Sequence, residues 1–151
     1  MISTEDYLHY VDDALDGMVE VLIELGDVEA GRRPGLPAAN SPFSILTHCL
    51  GVMEYWAGHV VAGRTVHRDR EAEFRATGRV ADLVEHARAQ RARFADDVAR
   101  AEPFAAPRGD VSADDAALPI GRTQGGALLH VFEELARHRG QLEITRDILR
   151  G

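Results

Sequence analysis

An all-α fold is what this 151-residue sequence predicts, and three observations carry the prediction. Four segments repeat their apolar residues at helical spacing, no stretch alternates as a half-buried strand does, and glycine, proline and capping residues punctuate the segments. Apolar residues make up 45% and charged residues 28% of the chain, the balance of an ordinary globular protein. At this length one domain spanning residues 1–151 is expected, with a core large enough to need no disulfide or metal staple. Four helices of about 20–28 residues, each ~30–40 Å long, pack naturally as a four-helix bundle.

The first helix is expected from Ser3 or Thr4, which can cap it, to Leu25, with Gly26 as its end. Tyr7, Leu8, Val11, Leu15, Met18, Val19, Leu22 and Leu25 form its apolar stripe. Residues 26–40, with Gly31, Pro34, Gly35 and Pro37, read as loop. Ser41-Pro42 opens the second helix, a capping hydroxyl before a proline at the first helical position, and Gly63 should stop it after Ala62. From Arg64 to Gly78 the chain is charged and lacks an apolar period. The third helix runs from about Arg79 to Ala101, with Val80, Leu83, Val84, Ala87, Phe94 and Val98 facing inward. Pro103 and Pro107 begin a long loop. The fourth helix starts near Thr123 and takes its apolar content from Leu128, Leu129, Val131, Phe132, Leu135, Leu142, Ile144, Ile148 and Leu149.

Composition excludes several functions. The net charge is −8, so affinity for nucleic acid phosphates or anionic lipid is not expected. All 17 basic residues are arginine, which rules out lysine Schiff-base chemistry. Cys49 is the only cysteine, so neither an intrachain disulfide nor a multi-cysteine zinc cage can form. No apolar run approaches a membrane span, and the N-terminus lacks the pattern of a signal peptide; a cytoplasmic protein is expected.

The chemistry lies in the fourth helix. His130, Glu134 and His138 are spaced four apart and share one face, beside the core positions Val131 and Leu135. Acceptor groups on an inward face are costly unless something satisfies them, and a divalent cation would. His130 and His138 are separated by a rise of about 12 Å, too far for one ion held ~2 Å from each ligand. An adjacent pair can serve, with a third ligand from elsewhere, and His48 on the second helix is the candidate. Two histidines and one carboxylate with open positions suit a catalytic zinc or another late first-row metal. The plain alternatives are a His48 hydrogen-bonded in the core and a Glu134 paired along its own helix with Arg137 or His138. Cys49, about 100° round from His48, is read as a buried small hydrophobe, and Tyr55 and Trp56 as packing.

The block His138-Arg139-Gly140-Gln141 closing the last helix, with His48 early in the second, resembles the DinB-like superfamily of metalloenzymes. More narrowly, His130-x3-Glu134-x3-His138 resembles its DUF664 branch, which is similar to the mycothiol-dependent maleylpyruvate isomerases and the bacillithiol and mycothiol S-transferases. The resemblance implies an up-down-down-up bundle, a metal at one end of it and frequently a homodimer. It assigns the metal to His48, Glu134 and His138, with zinc first and nickel or iron as alternatives. Gln141 stands where the branch often has another histidine. The isomerases carry a second domain that this sequence lacks, so isomerase activity is not expected. The expected function is transfer of a low-molecular-weight thiol, mycothiol or bacillithiol, to a small-molecule electrophile. His130 would orient Glu134 or the substrate, and Arg137 or Arg139 would bind a substrate carboxylate. A metal-binding stress protein without turnover and a metal-dependent hydrolase are the alternatives.

Overall fold

Ser3 begins the first helix as its hydroxyl accepts the Asp6 N–H at 3.0 Å, with Glu5 and Asp6 set in the first turn where acidic groups favour a helix start. The computed structural model describes residues 2–151. Helix α1 spans Thr4–Gly31 but breaks at Gly26, whose φ of 68° and ψ of 175° are accessible to glycine and essentially to no other residue. The expected end at Gly26 is therefore a kink, and residues 27–31 are helical rather than loop. Tertiary contacts hold this last turn. Ala30 is fully buried, and Asp27 Oδ1 accepts the Val80 N–H at 2.7 Å, capping a helix whose own N-cap, Arg79, makes no side-chain cap bond.

Helix α2 covers Pro42–Met53, capped by Ser41 as the Ser-Pro pair predicts. The same rod continues as a π-helical segment, Glu54–Val61, before Gly63 turns the chain at φ 75°. The π-segment stands where ordinary helix was expected. Its extra residue per turn is anchored by Arg64, whose guanidinium meets both Asp97 oxygens at 3.0 and 2.8 Å and Glu54 Oε1 at 2.7 Å. Gly58 admits that side chain: a Cβ there would lie 2.2 Å from Arg64 Nη2.

A short helix, α3 (Arg70–Glu73), follows in the region expected to be irregular. Asp69 caps it, accepting the Ala72 N–H at 2.9 Å. Helix α4 is Val80–Ala99, and all six of its expected inward residues are buried. The long connection afterwards contains α5 (Ala113–Ala116) and α6 (Pro119–Arg122). Helix α7, Gln124–Arg150, is capped by Thr123.

Four long segments therefore make the architecture, and among the described residues there is no strand. Helix α1 and the α2/π rod each pack against both α4 and α7. Long-range pairings give their directions. Tyr7 donates to the Leu128 carbonyl at 2.5 Å, Arg139 meets Asp13 and Arg146 meets Glu24, so α1 and α7 run parallel. Asp27 meets Val80 and Asp16 meets Arg91, so α4 opposes α1; His48 meets Glu134 and Trp56 meets His130, so α2 opposes α7. The core between them includes Met18, Leu22, Leu46, Met53, Phe94, Leu135 and Leu142. Leu129, Ile144 and Ile148, expected to add to the apolar content of α7, are exposed on its outer side. No helix among the described residues is long and apolar enough to cross a membrane.

Candidate metal centre

Antiparallel packing of α2 on α7 brings one imidazole to a carboxylate and a second imidazole. His48 reaches from α2 with 3% of its surface exposed. Its Nε2 lies 3.4 Å from Glu134 Oε2, and His138 Nε2 lies 3.5 Å from the same oxygen. All three atoms fall within 4.8 Å of one another.

The remaining atoms of these side chains are already committed. His48 Nδ1 meets Glu73 Oε2 at 2.8 Å, His138 Nδ1 meets Gln141 Oε1 at 2.8 Å, and Glu134 Oε1 accepts from Arg137 Nη1 at 3.1 Å. Arg68 Nη2 also lies 3.3 Å from His48 Nδ1, but the Glu73 oxygen is nearer and a carboxylate oxygen only accepts, so Nδ1 carries its proton towards Glu73 and the Nε2 lone pair of the neutral ring faces Glu134. Acceptors that face one another call for a positive charge between them, either a proton or a metal cation. A single proton bridges one pair of atoms, best at about 2.7–3.2 Å, whereas here three atoms converge, with the carboxylate oxygen 3.4 and 3.5 Å from the two nitrogens. Two ligand atoms held ~2.0–2.1 Å from one ion at a tetrahedral angle lie ~3.3–3.4 Å apart, which both Glu134–histidine separations approach; the widest pair of the three, within 4.8 Å, would close on binding an ion. The donor set fits a divalent metal ion.

The other expected residues fall outside this group. His130 packs edge-on against Trp56 at 5.1 Å between ring centres, and its Nδ1 is 3.5 Å from Glu133 rather than on Glu134. Arg137 is largely exposed and spans Glu133 and Glu134 along the helix. Arg139 faces α1, paired with Asp13 at 2.5 Å and Glu143 at 3.1 Å, rather than the His48–Glu134–His138 group. Cys49 is fully buried as expected, and burial, then Glu134 and Glu73, push its thiol well above the usual range.

Reading the sequence for spacing misses Glu73, Arg68 and Phe74. Arg68 grips Glu73 through Nε at 2.7 Å and Nη2 at 2.9 Å. Phe74 stacks on the His48 ring at 4.6 Å. The signal that could have found them is Asp69 three residues before Ala72, a cap announcing a short helix that ends in Glu73-Phe74.

Electrostatics favour an ionised site. Burial works to raise the Glu134 carboxyl, but the neighbouring His138, His130, His48 and Arg137 together hold it below the usual carboxylate range. Glu73 behaves likewise: burial is outweighed by its hydrogen bonds to His48 and Arg68 and by the Arg68 charge.

A family model described as mycothiol-S-transferase matches residues 6–151, nearly the whole chain. No curated protein matches it.

Proposed function

The chain belongs to the mycothiol-S-transferase family, and we propose that it transfers the thiol of mycothiol to an electrophile at a divalent metal ion held by His48, Glu134 and His138. The convergence of those three donor atoms within 4.8 Å supports this reading more than any other observation. A divalent ion held by these residues would supply the positive charge that favours the thiolate at neutral pH, where a free thiol with a pKa of about 8.5 is mostly protonated. The thiol proton leaves to solvent, a sulfur–carbon bond forms, and the leaving group departs with its electron pair.

The chain's own groups prepare this step. Glu134 brings one negative charge and the two neutral imidazoles none, so the residues leave room for an anionic fourth group. Arg137 occupies Glu134 Oε1 and turns Oε2 towards the histidines. Gln141, which stands where the related branch often has a histidine, accepts from His138 Nδ1 and leaves its Nε2 facing Glu134. His130 and Trp56 border the same face of α7, and we assign His130 and Arg137 to substrate contact. Nitrogen and oxygen donors favour zinc, with nickel or iron as alternatives. We place the protein in the cytoplasm, where small thiols are kept reduced.

The test is consumption of mycothiol by the zinc-loaded protein on addition of monochlorobimane. Conjugate should form well above the uncatalysed rate, and His48→Ala and Glu134→Ala should lose that excess. A rate equal to the no-protein control would remove the transferase reading. Thiol-independent ester cleavage by the same preparation would favour a metal-dependent hydrolase.

A further inference from the structure

A buried ion pair stands directly behind the metal-facing imidazole, on an element whose sequence shows no helical period. Glu73 closes α3 and is 8% exposed, and its Oε2 takes the His48 Nδ1–H at 2.8 Å. Arg68 holds both Glu73 oxygens, at 2.7 and 2.9 Å, and lies 5.9 Å from the centre of the Tyr55 ring. On the other side, Glu73 sits in a notch of α2: a Cβ on Gly51 would come within 2.0 Å of Glu73 Oε1. Phe74 stacks on the His48 ring at 4.6 Å and limits its tilt.

We propose that Glu73, neutralised by Arg68 and admitted by Gly51, is the positioning residue that fixes His48 with its proton on Nδ1 and Nε2 as the metal-facing atom. The proposal rests on His48 being a ligand of the ion. Its physical basis is general: the partner of a ligand histidine's other nitrogen sets the tautomer and ring orientation and raises the basicity of the ligating nitrogen. A carboxylate does this more strongly than a neutral acceptor, because it stabilises the partial positive charge that the ring acquires as it donates to a cation. Arg68 keeps the carboxylate from being an uncompensated buried charge. The connection between α2 and α4 is therefore part of the metal site, although none of its residues reaches the ion.

Zinc affinity, measured by competition with a chromophoric chelator, tests this together with thermal unfolding of each variant. Glu73→Ala should weaken zinc binding about 10–100-fold, and Glu73→Gln, which keeps an acceptor without the charge, should recover part of that loss. Gly51→Ala removes no charged group but displaces the Glu73 carboxylate; it should also weaken binding, while alanine's better helix propensity keeps the fold from being lost with it. Long-range nitrogen–proton NMR on the zinc-loaded wild type should place the His48 proton on Nδ1. Wild-type zinc affinity in both Glu73→Ala and Gly51→Ala, with binding still abolished by His48→Ala, would overturn the positioning role and leave the metal site standing. Zinc binding unaffected by His48→Ala, or a His48 proton on Nε2, would remove both.

Discussion

Glu54 carries a charge-dependent share of the fold. Burial works to raise its carboxyl, but the Arg64 hydrogen bond and charge, with the neighbouring Gln90 and Arg93, together hold it below the usual range. A carboxyl lowered on folding stabilises the protein fully above its unfolded pKa of about 4.3, and that stabilisation is lost as pH falls through the lower folded value. Urea midpoints of wild type and Glu54→Gln should therefore differ at pH 7 and converge in acid, below the usual carboxylate range. A gap that stays constant with pH would show that Glu54 acts through packing alone. At this scale the sequence was readable wherever chemistry and periodicity coincide. His130, Glu134 and His138 announce themselves by four-residue spacing on a face that should be apolar, and His48 by its place beside Ile45. Glu73 and Arg68 do not. They meet His48 across a connection of 20 residues or more, and no spacing rule links a side chain to a partner brought to it by a turn of the main chain.

Two glycines test what the elements owe to backbone conformation. Gly26 has positive φ and nothing within 4 Å of where a Cβ would stand, so Gly26→Ala changes strain without removing a contact. It should cost about 1–3 kcal/mol of stability by urea unfolding. Gly140 is helical, with equally open space around it. Gly140→Ala should raise stability by about 0.5–1 kcal/mol. Equal effects at the two positions would contradict the assigned kink. The two ends of the α2/π rod and the start of α7 were legible because Ser-Pro, Gly63 and Thr123 are local signals. The π-segment was not, since its wider turn depends on Arg64 reaching Asp97 on another helix. The helical turn after Gly26 was hidden for a similar reason: its support comes from Ala30 burial and from Asp27 capping α4.

Across the whole molecule, the candidate metal site depends on helix direction. Helix α7 runs with α1, tied to it by Tyr7, Asp13 and Glu24, and against α2, so that the short α2 stretch around His48 passes the Glu134–His138 turn. Ion pairs along the α1–α7 seam engage Arg139 and Arg146. That leaves Arg137 as the α7 arginine beside the centre. The all-α class followed from periodicity alone, whereas these directions were expected only through the family resemblance. The account stands or falls on the cation itself. Anomalous diffraction at the zinc edge from crystals of the zinc-loaded protein should show one peak ~2.0–2.2 Å from His48 Nε2, Glu134 Oε2 and His138 Nε2. Zinc bound only elsewhere, with those three side chains turned apart, would contradict it.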